Sequence, residues 1–218
     1  MRKTKIVNFN PRFTWAICIL TLTAVVLSCQ TGISPPGIFV FGRTDRLVPI
    51  YRVETDEKKV AISFDAAWGS DVTPILLEIF DRYNVKTTFF LVKFWMEKYP
   101  EMTKTISKAG HEIGNHSATH PNMGSLSASQ ITKEIETTND KIKELTGQTP
   151  SLFRPPFGDY SNTLITTVNS LGCQVIQWDV DSLDWKDLGA DAIYERVMKQ
   201  VGPGSIILFH NNGKHTAK

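Results

Sequence analysis

With 218 residues, 41% of them apolar and 21% charged, the chain has the composition of an ordinary globular protein and room for one sizeable domain plus an appendage. The formal net charge is +2, and Arg2, Lys3, Lys5 and Arg12 all sit in the first twelve positions, so the remainder is close to neutral and nothing calls for a nucleic-acid partner. Of three cysteines, Cys18 and Cys29 belong to the N-terminal segment, which leaves Cys173 alone and excludes an internal disulfide framework.

The basic start is followed by an apolar, uncharged run over residues 13–28. That order is expected of an export leader or a membrane anchor, and Val26-Leu27-Ser28-Cys29 is similar to a bacterial lipobox with Cys29 as the lipidated residue. Residues 1–29 are therefore read as a signal peptide or anchor that takes the protein to the cell envelope. Residues 30–57 are read as a linker that includes a flanking strand over 48–53, and 58–218 as the functional domain. A monomer is expected, associated with the membrane through its N-terminal segment.

From Lys58 the pattern alternates. Residues 59–64 are strand-like and run into Asp65. A helix over 71–83 follows, with Ile75, Leu76, Ile79 and Phe80 on one face and Pro74 in its first turn. A strand over 87–92 precedes a helix over 99–109 that stops at Gly110. Next come a strand over 112–115, leading to His116, and a helix over 127–145 with Ser127 and Gln130 as a capping box and Gly147 past its end. Leu152-Phe153 leads to Arg154, before a helix over 162–171 and a strand over 173–178. A helix over 190–201 and a strand over 205–209, ending at His210, complete the series. Strands alternating with helices imply a parallel sheet, and the missing Gly-rich phosphate loop favours an α/β fold of the (β/α)-barrel kind over an open doubly wound sheet. The expected barrel is distorted or incomplete, of a seven-stranded type. The sequence stops eight residues after His210, which predicts a domain short of its last helix.

Asp65, His116, Arg154 and His210 each follow a strand-like run, and Asp184 lies in a loop after another. In a parallel barrel those positions share the C-terminal rim, where such folds carry their sites. His116 and His120, four residues apart, can aim two ring nitrogens at one metal ion. Alone the pair is better explained by two satisfied or solvated histidines; after a strand and beside Asp65, metal binding is the better reading. Trp68, Trp178 and Trp185 taken singly read as packing, and Asp179 and Asp181 as acceptors for loop N–H groups. His111 and His215 are read as structural or solvated.

Phe64-Asp65-Ala66-Ala67-Trp68-Gly69, His116 to Pro121 (HSATHP), Arg154-Pro155-Pro156-Phe157-Gly158, Asp181-Ser182-Leu183-Asp184-Trp185 and Leu208-Phe209-His210 together resemble the five ordered motifs of the polysaccharide deacetylases, the NodB-homology family. The first motif is similar to that of a sporulation-associated branch. The resemblance implies hydrolysis of the N-acetyl group of peptidoglycan or a chitin-like glycan. It implies Asp65 as general base with Arg154 beside it, and His210 as general acid with Asp184 behind it. A divalent metal, typically zinc, would be held by His116 and His120. A backbone N–H near Phe157 or Gly158 would meet the oxyanion. Substrate would be contacted by Trp68, Pro155, Phe157, Gly158, Trp185 and Leu208, with Trp185 and Leu208 walling the acetyl methyl. One departure stands out. The family's usual third metal ligand is an aspartate directly after the base, and this chain has Ala66 there. That leaves a loosely held metal, a ligand recruited from elsewhere such as Asp71, or a module that binds glycan without cutting it. A barrel glycosidase would need two carboxylates flanking the bond, and Asp65 with Asp184 would leave the histidines and Arg154 without a role.

Overall fold

The computed structural model describes residues 45–218; the leader-like run, the lipobox and most of the expected linker lie outside the described residues. Seven strands, all parallel, form one sheet: β1 (Ala61–Ala66), β2 (Thr88–Leu91), β3 (Glu112–Asn115), β4 (Leu152–Phe153), β5 (Gln174–Val175), β6 (Val180–Asp181) and β7 (Ile206–His210). The order is β5-β4-β3-β2-β1-β7-β6, so β1 is an interior strand between β2 and β7 and the curled sheet is a half-barrel with β5 and β6 as its two ends.

The segment preceding β1 runs between the residue that follows β5 and the residues that lead into β7. Ile50 makes a parallel bridge to Ile176, donating its N–H to Val175 O at 3.0 Å and accepting from Gln177 N–H at 2.8 Å. Arg52 makes an antiparallel bridge to Ser205, and Val53 N–H donates to Gly204 O at 2.8 Å. The expected strand over 173–178 is accordingly short. Only Gln174–Val175 pair with β4, after which the backbone turns to Ile50.

Helices α1 (Thr73–Arg82), α2 (Lys93–Lys98), α3 (Pro100–Lys108), α4 (Ala128–Thr146), α5 (Asn162–Ser170) and α6 (Ala190–Gln200) complete the fold. The α4 boundaries follow local chemistry. Ser127 accepts from Gln130 N–H while the Gln130 side chain accepts from Ser127 N–H, and Gly147 ends the helix at φ 72°. Pro100 opens α3, which is followed by Gly110 at φ 81°. Two elements were not expected: α2, whose Phe94-Trp95-Met96 run has no helical period, and β6, which pairs through only Val180 and Asp181. Among the described residues, no helix is long and apolar enough to cross a membrane.

Strand alternation divides the side chains. Phe64 of β1 stacks on Phe89 and Phe209, ring centroids 5.2 and 5.6 Å away, and meets Phe80 of α1 edge-on at 5.5 Å. Ala66 belongs to the same cluster, with Trp95, Met96 and Ile106. Ile131, Ile135, Leu164 and Val168 pack α4 and α5 against Phe153 and Val175. His111 is buried between the Phe80 and Phe89 rings and accepts from Thr87 N–H through Nδ1, which makes it a core residue. Cys173 is a buried free thiol. Between Phe64 and Ala66, Asp65 turns the other way, into the curl of the sheet.

Candidate active site

Register puts the chemistry on one rim. Asp65 stands opposite His210 across β1 and β7, and opposite Phe90 across β1 and β2. His116 N–H donates to Leu91 O, and Arg154 N–H to Asn115 O, so both residues leave the sheet one step past β3 and β4. They open onto a cleft of about 500 Å³ lined by Asp65, Ala67, Trp68, His116, His120, Phe157, Trp178, Asp181, Trp185, Leu208, His210 and Asn212.

Arg154 is fully buried, its Nη1 2.9 Å from Asp65 Oδ1 and its Nη2 donating to Gln177 O at 3.1 Å. Its guanidinium lies 4.1 Å from the centroid of the Phe90 ring, a cation–π seat in a dry place. Phe90 can lie there because residue 114 is glycine: a Cβ on Gly114 would come within 2.5 Å of that ring. Burial pushes the Asp65 pKa up, but His116, Arg154 and His210 together hold it below the ordinary carboxylate value.

The two histidines of the second motif are brought together, ring centroids 5.0 Å apart. His116 Nδ1 lies 2.7 Å from Arg154 O, which fixes Nδ1 as the protonated nitrogen and leaves the Nε2 lone pair facing Asp65 Oδ2 at 3.5 Å. Burial lowers the His116 pKa, and burial with the nearby His116 lowers that of His120 to about 4. Both rings therefore give up their proton more readily than a free imidazole, which suits metal ligation, where the imidazole must be neutral. The turn carrying them is unusual, with Ser117 at φ 70° and His120 at φ 58°. Glu134 of α4 holds it: its carboxylate accepts from Ala118 N–H at 2.8 Å, Thr119 N–H at 2.9 Å and the Thr119 hydroxyl at 2.9 Å. Asn115 adds an acceptor for Ser117 N–H and donates to Ile135 O and Asn139 Oδ1. Sequence reading missed Glu134, fourteen residues past His120 and carrying no motif signal.

As a metal site the donor set is two neutral imidazoles. Ala66 is 0% exposed and packs with the cluster behind β1. Asp71, the candidate substitute, is exposed ahead of α1 and does not line the cleft. Among the described residues, no group of three or more His, Cys, Asp or Glu is arranged to hold a metal. The pair fits an imidazole-seeking ion such as zinc, without a third protein ligand.

Across the cleft, Asp184 is fully buried and 2.8 Å from His210 Nδ1. Burial alone lowers the His210 pKa, but the Asp184 hydrogen bond, with Asp65 and Asp181 beyond it, raises it above the ordinary imidazole value. Asp181 Oδ1 accepts from Leu183 N–H, and Asp179 from Ile206 N–H and the Ser205 hydroxyl, so both carboxylates hold loop and strand backbone. Asp181 also reaches the cleft wall.

Trp68, Phe157 and Trp185 line the cleft with more than half of each residue exposed, and Leu208 lines it from β7. Two of the expected contact residues do not line it. Pro155 is buried, and Gly158 turns to the other side, where its carbonyl accepts from Gln177 Nε2 at 2.9 Å. Gly158 N–H is also spent, on Pro155 O at 3.1 Å. Phe157, at φ 59°, is what this loop presents to the cleft, 4.6 Å from the His120 ring.

The family model for polysaccharide deacetylase matches residues 52–176. The chain belongs to the polysaccharide deacetylase family. It is 35% identical to the peptidoglycan-N-acetylglucosamine deacetylase of Bacillus cereus, over 72% of this chain and 57% of that protein. It is 33% identical to the peptidoglycan-N-acetylmuramic acid deacetylase PdaA of Bacillus subtilis, over 77% of this chain and 65% of the relative. Of solved structures, wild-type BA3943 of Bacillus anthracis, described as a CE4 family pseudoenzyme, superposes with a TM-score of 0.75 at 36% identity, covering 78% of this chain and 59% of that one. A mutant of BA3943 is described as having restored enzymatic activity. The chain thus spans between half and two thirds of the length of these curated relatives.

Proposed function

We propose that this polysaccharide deacetylase domain hydrolyses the N-acetyl group of a cell-wall glycan, peptidoglycan or a chitin-like polymer. The observation that carries the reading is a pair of proton-handling dyads on one cleft, tuned in opposite directions. Asp65 beside Arg154 is held ionised, and His210 beside Asp184 is held protonated. Such a split assigns base to one and acid to the other.

In this reading Asp65 takes a proton from water as the oxygen attacks the acetamide carbonyl. The oxyanion that forms meets the N–H of Phe157, a contact worth about 3 kcal/mol in comparable sites. His210 then protonates the sugar nitrogen, so that the C–N bond breaks to acetate and a free amine; an unprotonated amide nitrogen is too poor a leaving group. His116 and His120 would hold a divalent metal, zinc by their chemistry, which when bound polarises the carbonyl and makes water more acidic. Trp68, Phe157 and Trp185 offer flat apolar faces to pyranose rings, while Trp185 and Leu208 enclose the methyl. A peptidoglycan substrate, spore cortex included, puts the domain outside the cytoplasmic membrane, where the leader-like residues 13–28 would carry it.

Acetate release from N-acetylglucosamine oligomers and from peptidoglycan tests the reading, after chelation and again with zinc or cobalt restored. Release should depend on metal and fall at least about a hundredfold in His116→Ala and His210→Ala. In kcat/KM against pH, activity rises as Asp65 ionises, below the usual carboxylate range, and falls as His210 loses its proton, above the ordinary value of about 6.5. A basic limb that stays in place in Asp184→Asn would remove Asp184 from the acid's tuning. The second reading is a module that binds glycan without cutting it, favoured by Ala66 and by the likeness to BA3943. Oligomer binding by the folded protein with no acetate at any metal concentration would select it.

A further inference from the structure

Asp184 is held by more than the histidine it serves. Oδ1 accepts from His210 Nδ1 at 2.8 Å, and Oδ2 accepts both from His210 backbone N–H at 2.8 Å and from the Thr216 hydroxyl at 2.6 Å. Thr216 lies outside every motif, thirty-two residues from Asp184 along the chain. It arrives through two successive turns after β7, in which Gly213 N–H donates to His210 O and Thr216 N–H to Gly213 O. Gly213 is buried where that return passes. A Cβ there would collide with Thr216 Oγ1 and come within 3.0 Å of Asp184 Oδ2. Beyond it, Ala217 packs against the Phe64 cluster and pins the returning segment.

A carboxylate bonded through one oxygen can pivot about its Cβ–Cγ bond, and the imidazole it holds pivots with it. Donors on both oxygens restrain the plane, but two of the three here come from His210 itself, so Thr216 is the donor that ties the carboxylate to something other than the histidine it holds. Asp184 has no water around it to replace a lost donor, because it is fully buried. We propose that Thr216 is a positioning residue for the proton donor: its hydroxyl locks the Asp184 carboxylate so that His210 keeps Nδ1–H on Asp184 and turns Nε2 to the cleft. Gly213 is the residue that gives the hydroxyl room. The kinetic consequence rests on the deacetylase reading, whereas the lock itself does not.

The test uses the full chain with isotope-labelled histidine. The His210 Nδ1–H bonded to Asp184 gives a downfield proton resonance, assigned with His210→Gln, whose exchange with water reports how firmly the pair is held. Thr216→Val should speed that exchange about tenfold, Thr216→Ser should restore it, and Gly213→Ala should reproduce the loss with Thr216 still present. In the same variants kcat should drop about tenfold at unchanged KM, again recovered by serine. An unaltered resonance in both Thr216→Val and Gly213→Ala would overturn the proposal, as would a serine variant that exchanges as fast as the valine. Should the parent protein release no acetate, the deacetylase reading fails, and the proton resonance still decides the lock.

Discussion

At the end of β1 a methyl group stands where the family usually has a carboxylate, and it is packed among Trp95, Met96 and Ile106. An aspartate at that position has two fates. Without a cation it is a buried, unpaired charge, which costs about 3–5 kcal/mol; with one it adds a third ligand to the two histidines provided that the carboxylate swings out of that cluster to the cleft side of β1. Ala66→Asp should therefore melt well below the parent in chelator, recover with zinc, and bind zinc at least about tenfold more tightly by calorimetry. A variant equally stable with and without zinc would show that position 66 does not reach the ion. Asp65, His116, Arg154 and His210 were legible in the sequence because each lies at the end of a strand or one step past it, and in this fold strand ends converge. Thr216, Glu134 and Gly114 were not. They act on those residues through space, and neither spacing nor residue type marks them.

Among the elements, α4 does two jobs at once. Its buried face of Ile131, Ile135 and Ile142 covers the sheet, and Glu134, between the first two, reaches the loop bearing both histidines. Glu134→Ala removes acceptors from two backbone N–H groups and a hydroxyl. It should lower stability by about 2 kcal/mol in urea denaturation and weaken cobalt binding with it. Glu134→Gln, which keeps one carbonyl acceptor, should recover part of both. Helices were easy to read here because capping residues announce their ends: Ser127 and Gly147 for α4, Gly110 after α3. The short strands were harder. β4, β5 and β6 each have two residues, too few for any alternation, and the six residues of α2 lack a period because Phe94, Trp95 and Met96 are consecutive.

On the scale of the whole molecule, a half-barrel has two ends to protect, and here the segment before β1 runs between the residue that follows β5 and the residues that lead into β7. Ile50 exchanges main-chain hydrogen bonds with Val175 and Gln177, Val53 donates one to Gly204 O, and the Arg52 side chain donates through Nη2 to Pro203 O at 2.6 Å. Removing residues up to 54 should lower Tm by several degrees and promote association through the bared edge, detectable by light scattering. A shortened protein that stays monomeric and melts unchanged would reduce the segment to a passive connector. The parallel α/β barrel, incomplete and seven-stranded, was readable, and so was an extended segment over 48–53, but where that segment pairs was not, because its residues are largely exposed and make only isolated bridges.

Ser117, His120, Phe157 and Leu183, all around the cleft, share a left-handed backbone that their side chains resist. Each such residue costs on the order of 1 kcal/mol relative to glycine. Selection for heat tolerance alone would drift toward glycine at these four places. The survivors would be hardier proteins without the His120 and Phe157 rings, so the sturdiest descendants of this chain would be those whose cleft had lost its shape.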